Sequence, residues 1–268
     1  MTFTGRTLAS SVRLEGLGLH SGVPVHVTIH PASRGGVRFR HAGAVVVAHP
    51  GSVTDTTRCT RLGDVSTIEH LMSALAVSEV TDVEIELDAP ELPALDGSAL
   101  GYWESLQDGG FEDLDERELP DLFSRLFLHE DLVKVAISAG EGHWRYDYDT
   151  GDRWPGLQSA EFLRVVEEYG AEIAPARTFG LQEELPSIQA AGLAKGLDLQ
   201  KALLLGPSGY LNEPRFPNEP ARHKLLDLIG DLYLAGVPIR FLNVVAERSG
   251  HRTNVQAAAL LAEAVGKP

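Results

Sequence analysis

One segment decides how the fold of this sequence is interpreted: Arg222-His223-Lys224-Leu225-Leu226-Asp227-Leu228-Ile229-Gly230-Asp231. It places His223, Asp227 and Asp231 four residues apart, and residues at this spacing lie one above the other on one face of an α-helix. Leucine and isoleucine occupy the other directions, so the polar face is predicted to be buried. Buried imidazole and carboxylate groups need partners. His223 and Asp227 therefore predict either hydrogen bonds in the core or two ligands of one metal ion.

A second segment, residues 66–75, reads Ser-Thr-Ile-Glu-His-Leu-Met-Ser-Ala-Leu and predicts another helix. Ser66 followed three residues later by Glu69 is typical of a helix capping box, which is one interpretation of Glu69. In the other interpretation, His70 is a third metal ligand and Glu69 is the general base for a bound water. Three His and carboxylate ligands with an open position are typical of a catalytic zinc site, and the single cysteine, Cys59, excludes a thiolate-rich structural site.

A third histidine follows the predicted strand at residues 240–245, in the segment Ser249-Gly250-His251. A histidine beside glycine in a loop is usually exposed and has no special role. His251 is alternatively a cationic acid that faces the metal. The unperturbed pKa of histidine lies near neutrality, and a nearby carboxylate such as Asp231 favours the protonated form.

Length and composition are those of an ordinary enzyme with a substantial core. The 268 residues allow one large or two medium domains, and the net charge of −15 without a basic patch argues against nonspecific nucleic-acid binding. No apolar run approaches the roughly 20 residues that span a bilayer, and the N-terminus does not resemble a signal peptide. One cysteine fits a reducing compartment, so we expect a cytoplasmic protein. Because of the negative net charge, we also expect that it binds no nucleic acid.

Hydrophobic periodicity predicts two α+β halves. The acidic, turn-prone stretch 109–120 is predicted to separate an N-terminal domain, residues 1–110, from a C-terminal domain, residues 118–268. The predicted strands are Val23–His30, Gly36–Arg40, Val83–Leu87, Leu132–Ile137, Trp144–Tyr148, Ala202–Leu205 and Arg240–Val245. The predicted helices are 66–78, 99–106, 159–169, 185–191, the segment around Asp227, and 254–265.

Five motifs follow one another along the chain. They are Thr67-Ile68-Glu69-His70-Leu71, Asp96-Gly97-Ser98-Ala99, Ala176-Arg177-Thr178-Phe179-Gly180, Arg222 to Asp231, and Ser249-Gly250-His251. In this order and spacing they resemble the zinc-dependent UDP-3-O-acyl-N-acetylglucosamine deacetylases of lipid A biosynthesis. The segments Gly5-Arg6-Thr7-Leu8 and Gly16-Leu17-Gly18-Leu19-His20-Ser21-Gly22 also resemble the start of that family, and the resemblance covers nearly the whole chain.

The resemblance implies a metal site with an acid and a base. Glu69 would activate the metal-bound water for attack on the acetamide carbonyl. His251, oriented by Asp231, would protonate the departing amine, and Thr178 would donate a hydrogen bond to the oxyanion. The metal would be Zn²⁺, which Fe²⁺ can replace in sites of this kind. Its implied ligands are His70, His223 and Asp227.

Substrate contacts follow from the same resemblance and from charge. The positions expected to bind the acylated UDP-sugar are Lys224, Phe179, His20 and Arg248. Because the substrate is anionic, positive charge must gather locally in this acidic protein, and Arg222 and Arg252 are further candidates by sequence position. Relatives carry a lysine about where this chain has His143, and the loop near Gly196 is short, so the substrate-binding periphery has changed more than the catalytic residues.

The fold implied by the resemblance consists of two similar domains, each an α/β two-layer sandwich, with helices packed between two β-sheets. We expect a monomer that hydrolyses the N-acetyl group of UDP-3-O-acyl-N-acetylglucosamine. One alternative is a zinc amidase of the same fold that acts on another N-acylated sugar or sugar nucleotide. A third possibility is a non-catalytic homologue that binds zinc, although such a protein has no chemical need for both Glu69 and His251.

Overall fold

Two halves of the chain each contain a five-stranded mixed sheet in the computed structural model, which describes residues 1–122 and 124–266. The N-terminal half comprises β1 (Thr2–Leu8), β2 (Val12–Leu17), β3 (Pro24–Pro31), β4 (Val37–His41), β5 (Ala44–Val47), β6 (Val53–Asp55), β7 (Arg61–Leu62), α1 (Glu69–Val77), β8 (Val83–Leu87), α2 (Leu100–Gly109) and β9 (Phe111–Glu118). The C-terminal half comprises β10 (Leu126–Glu130), β11 (Val133–Ala139), β12 (Trp144–Asp149), β13 (Leu157–Phe162), α3 (Val165–Glu172), β14 (Phe179–Leu181), α4 (Leu185–Ala190), β15 (Leu203–Leu205), α5 (Glu219–Tyr233), β16 (Leu242–Glu247) and α6 (His251–Ala264).

The two large sheets have the same topology. Their strand orders are β2-β3-β8-β4-β5 and β10-β11-β16-β12-β13. In each sheet the last strand along the chain lies in the centre, antiparallel to one neighbour and parallel to the other, as in β8 with β4 and β16 with β12. The predicted α+β fold with two similar halves is therefore confirmed, although no repeat is visible in the sequence.

Helices α1 and α5 form the main contact between the halves, and α5 also packs against β12 and β13. Every residue of α1 is buried. At the crossing point, a Cβ atom on Gly230 would lie 2.0 Å from the carbonyl oxygen of Glu69, so only glycine permits this approach. The close crossing brings the first turn of α1 next to the middle of α5.

Three predictions about secondary structure were wrong. The acidic stretch 109–120, predicted to be turn-prone, instead contains the strand β9, which pairs with β1. The helix predicted from residue 159 starts at Val165 instead. Ala160 and Phe162 are buried at alternating positions of an edge strand, β13, which gives this segment a period of two. The C-terminal helix begins at His251 rather than at residue 254, so His251 is not in a loop.

The predicted domain limits, residues 1–110 and 118–268, stay a prediction. The second range includes Phe123, Lys267 and Pro268, which lie outside the described residues. Within residues 1–122 and 124–266, every helix is too short or too polar to cross a membrane.

Candidate active site

Helices α1 and α5 bring His70, His223 and Asp227 together in the core, where all three are buried. Asp227 Oδ1 lies 3.7 Å from His70 Nε2 and 3.5 Å from His223 Nε2. Four ligands placed tetrahedrally about 2.0–2.1 Å from a zinc ion would be about 3.4 Å apart. Asp227 Oδ1 has no hydrogen-bond partner among the described residues, which is costly for a buried carboxylate oxygen unless it binds a cation.

The protonation states of these residues suit metal binding. Burial lowers the pKa of His70 to about 3, and it lowers the pKa of His223 as well, so both imidazoles are neutral. His223 Nδ1 donates to the carbonyl of Ala176 at 3.1 Å, which leaves the lone pair of Nε2 directed at Asp227. Burial alone would raise the pKa of Asp227, but the positive charges of Lys224 and His251 outweigh burial, lower the pKa and keep the carboxylate charged. The donor set is thus two neutral imidazoles and one carboxylate.

Glu69 is the first residue of α1, and the predicted capping box is absent. Ile68 is the N-cap, and Ser66 donates its hydroxyl proton to the carbonyl of Pro90 instead of capping the helix. Thr67 has a φ of 62°, which turns the chain sharply before the helix. Glu69 Oε2 accepts a hydrogen bond from the backbone N–H of Thr60 at 3.0 Å, and burial raises the pKa of Glu69 to about 7.

His251, the first residue of α6, lies opposite Glu69 across the centre. His251 Nε2 is 4.0 Å from both Glu69 Oε1 and Asp227 Oδ2. Its Nδ1 donates to Asp231 Oδ2 at 3.1 Å, and Asn254 Nδ2 donates to the same oxygen at 3.0 Å. Burial lowers the pKa of His251, but the carboxylates of Asp231 and Glu69 outweigh burial and raise it to about 9. His251 is therefore a protonated imidazole close to the carboxyl group of Glu69.

A cavity of about 470 Å³ opens onto these groups. Besides Glu69, His251 and the donor set, its lining includes four further residues predicted from the sequence, which are His20, Thr178, Phe179 and Lys224. The backbone N–H of Thr178 donates to the carbonyl of Gly97 at 2.7 Å, so two of the predicted motifs meet here. The Phe179 ring lies edge-on to Tyr148 and to His223, at 5.3 and 6.0 Å between centroids. Both ring nitrogens of His20 are buried and lack a hydrogen-bond partner among the described residues.

One wall of the cavity is apolar. It is formed by Leu203, the first residue of β15, and by five residues of the segment between β14 and β15, which are Leu185, Ile188, Leu193, Leu197 and Leu199. The short loop near Gly196 closes this wall against the N-terminal half, because Gly196 N–H donates to the carbonyl of Leu19 at 3.1 Å. A Cβ on Gly196 would lie 2.2 Å from the carbonyl oxygen of Gly18, so glycine is needed for this closure.

The positive charges are arranged differently from the expectation. Arg248 pairs with Asp149 at 2.6 Å, Arg222 pairs with Glu172 at 2.6 Å, and Arg252 pairs with Glu130 at 2.5 Å. None of these arginines is among the residues that line the cavity.

Lys224 lines the cavity and donates to Asp227 Oδ2 at 2.8 Å. The second cation of the lining is Arg58, which was missed in the sequence and pairs with Glu184 at 2.8 Å. No local pattern around Arg58 indicates this position, because the pair joins residues 126 apart in the chain.

Comparisons with known proteins agree with this geometry. The sequence profile of the UDP-3-O-acyl N-acetylglycosamine deacetylase family matches residues 5–263. The chain belongs to this family. Curated relatives carry the name UDP-3-O-acyl-N-acetylglucosamine deacetylase. The protein from Trichormus variabilis is 38% identical over 94% of this chain and 96% of its own length. The proteins from Leptospira biflexa and Haemophilus influenzae are 35% and 37% identical, over 94% and 93% of this chain and 88% and 87% of their own lengths.

Proposed function

We propose that this protein hydrolyses the N-acetyl group of UDP-3-O-acyl-N-acetylglucosamine and releases acetate, the reaction for which its curated relatives are named and a step of lipid A biosynthesis. The observation that carries the proposal is the buried triad of His70, His223 and Asp227 beside Glu69 and His251, at one end of a cavity with an apolar wall. An acetamide at the triad would place the acyl chain of the same sugar within reach of that wall.

The triad fits a divalent metal ion, and we propose Zn²⁺, which Fe²⁺ can replace. Two neutral imidazoles and a carboxylate, with the remaining position open, are ligands that both ions accept. When bound, the metal polarises the acetamide carbonyl and lowers the pKa of water. His223 is kept in the tautomer that presents Nε2 by its bond to Ala176.

Glu69 is proposed as the general base and His251 as the general acid. The raised pKa of Glu69, about 7, suits a group that takes a proton from the attacking water near neutral pH. The pKa of His251, about 9, keeps a proton on Nε2 for the departing amine, and Asp231 balances the charge of the imidazolium. The 4.0 Å between Glu69 Oε1 and His251 Nε2 leaves both groups facing the same reacting carbon.

The remaining cavity residues would bind the substrate and stabilise charge. We propose that the Thr178 hydroxyl donates to the developing oxyanion, an interaction commonly worth about 3 kcal/mol. Lys224 and Arg58 are the two permanent cations of the lining and would attract the anionic diphosphate, while His20 and Phe179 contact the sugar. Arg248 stays a prediction as a substrate contact, since its guanidinium is bound to Asp149 outside the lining.

The test is acetate release from UDP-3-O-acyl-N-acetylglucosamine by the zinc-loaded protein. His70→Ala should abolish the release, because it removes one of three ligands. His26→Ala is the matched control, since the His26 side chain is 68% exposed on the first sheet and should not matter. Release that needs added metal and is lost only in His70→Ala supports the proposal. A folded, metal-loaded protein that releases no acetate from this substrate would point to the alternative, an amidase for a different N-acylated sugar.

A further inference from the structure

Thr60 lies immediately before β7, is fully buried, and contacts three helices of the active site. Its backbone N–H donates to Glu69 Oε2 at 3.0 Å, and its hydroxyl donates to Asp231 Oδ1 at 2.5 Å. The same hydroxyl oxygen lies 3.3 Å from His251 Nδ1. In addition, the Thr60 carbonyl accepts from the N–H of Ile68 at 3.3 Å, just before α1. One residue thus connects the base on α1 with Asp231 on α5 and the acid on α6.

The Thr60 hydroxyl has a single proton, and the distances assign it to Asp231. A short hydrogen bond to a charged carboxylate is among the stronger kinds in proteins. Asn254 and His251 both donate to the other oxygen of Asp231, so this carboxylate is held from two sides. The orientation of Asp231, and through it that of the His251 ring, therefore depends on Thr60.

Thr60 also holds Glu69, through its backbone N–H and not through its hydroxyl. The Thr60 N–H occupies Oε2, whereas Oε1 is the oxygen that faces His251. We propose that Thr60 is a positioning residue for proton transfer, an inference that rests on the proposed deacetylase function. Thr60 fixes one oxygen of the base and, through Asp231, the ring of the acid, so that both face the reacting carbon at the same time.

The contacts of Thr60 divide into two sets that can be separated experimentally. The backbone N–H and carbonyl attach the loop before β7 to the start of α1, and any residue at this position can make these bonds. Among the described residues, the polar contacts of the hydroxyl are with Asp231 and His251 alone. Removing the hydroxyl alone therefore tests positioning without removing the attachment of the loop.

Thr60→Val removes the hydroxyl and keeps the shape of the side chain. Because hydrogen bonds to charged groups are stronger than neutral ones, we expect kcat to fall about 10- to 100-fold. KM and the bound metal should stay within about twofold, since neither the ligands nor the cavity lining changes. Thr60→Ser, which keeps the hydroxyl, should recover kcat to within about threefold of the parent protein. Equal losses in the Val and Ser variants would indicate a packing role and overturn the proposal, as would a Val variant as active as the parent.

A double-mutant cycle gives a second test, and a general folding defect would not produce its expected result. In an Asp231→Asn background, replacing Thr60 by Val should lower kcat less than about twofold, because the group through which Thr60 acts is already altered. A full additional loss in that background would contradict the proposal. If Thr60→Val does not fold, as judged by thermal unfolding, Thr60→Ala replaces it. A parent protein without deacetylase activity would count against the proposed function, whereas an active parent with an equally active Val variant counts only against the role of Thr60.

Discussion

At the scale of single residues, the surroundings of Glu69 and His251 favour opposite protonation states of these two neighbouring groups. Burial raises the pKa of Glu69 to about 7, so its proton is lost near neutral pH. Asp231 and Glu69 overcome the burial of His251 and raise its pKa to about 9, so the imidazole keeps its proton there. Between these values a deprotonated Glu69 stands beside a protonated His251, which is the combination that the proposed roles of base and acid need.

We therefore expect a bell-shaped dependence of kcat/KM on pH. Glu69 must be deprotonated, so activity rises with pH through the pKa of Glu69, and His251 must be protonated, so activity falls as pH passes the pKa of His251. A bound metal cation favours the carboxylate and disfavours the imidazolium, which moves both limbs below the values of about 7 and 9. Asp231→Asn should shift the basic limb to lower pH, because Asp231 is the main group that raises the pKa of His251, and it should move the acidic limb less in the same direction, because Asp231 also raises the pKa of Glu69. A profile with an unchanged basic limb in that variant would contradict the assignment of His251.

Replacing the base should abolish most of the rate without releasing the metal. Glu69→Gln keeps the size of the side chain but cannot accept a proton, so we expect kcat to fall about 10²–10⁴-fold. The bound metal, measured on the purified protein, should be unchanged because Glu69 is not in the proposed ligand triad. Glu104→Gln on the exposed side of α2 is the control. A Glu69→Gln variant that keeps a tenth of the parent rate would exclude Glu69 as the base.

At the scale of elements, the crossing of α1 and α5 sets the distances within the site. Each helix supplies part of the triad, so the site exists only while the two helices stay in contact. Gly230 lies where α5 meets the backbone of Glu69, and its missing side chain permits the approach. The helix packing that forms this part of the core therefore also sets the spacing of the proposed ligands.

Gly230→Ala should separate the two helices. The added Cβ would lie 2.0 Å from the Glu69 carbonyl oxygen, which is backbone and cannot move aside. We expect a loss of about 1–3 kcal/mol in the free energy of unfolding from overpacking, larger than the gain of about 1 kcal/mol that alanine brings to a helix interior. Activity and metal affinity should fall together. Gly101→Ala in α2 is the matched control, because the nearest atom there is the end of the Leu95 side chain at 3.0 Å.

A second prediction at this scale concerns the segment that contains α4. None of the residues of α4 is buried, yet Leu185 and Ile188 line the apolar wall of the cavity. If this wall binds the acyl chain, Ile188→Asn should lower kcat/KM about 10-fold for a long-chain substrate, since each buried methylene contributes about 0.8 kcal/mol. The effect should vanish with a substrate that lacks the chain, and Leu260→Asn on the surface of α6 should be silent with both. An equal loss on both substrates would place the acyl chain elsewhere.

At the scale of the whole molecule, the sequence predicted which titratable groups come together better than it predicted the residues that hold them in place. His70, His223, Asp227, Glu69 and His251 lie in short motifs whose spacing has a direct chemical meaning, and the structure brings all five together. The capping box predicted at Ser66 is absent because the chain turns at Thr67, and Glu69 accepts a hydrogen bond from the backbone of Thr60 instead. A local sequence pattern does not encode this arrangement.

Other features depend on contacts between residues far apart in the chain. Arg58 and the hydroxyl of Thr60 have no sequence signal, because the side chains that they contact lie more than a hundred positions away. The acidic stretch 111–118 became a strand because β1 pairs with it. The equivalence of the two sheets depends on strand order, which is not visible as a repeat in the sequence. Cytoplasmic location and a monomeric state stay predictions.

The most direct test of the whole account compares kcat/KM for UDP-3-O-acyl-N-acetylglucosamine and for UDP-N-acetylglucosamine, with the metal-loaded protein. Both substrates present the same acetamide and the same diphosphate, and they differ only in the chain that the apolar wall is proposed to bind. Because binding energy remote from the reacting carbon contributes to the chemical step, the account predicts a rate at least about 100-fold higher for the acylated substrate. Equal rates on the two, or release of acetate only from some other N-acylated sugar, would contradict it.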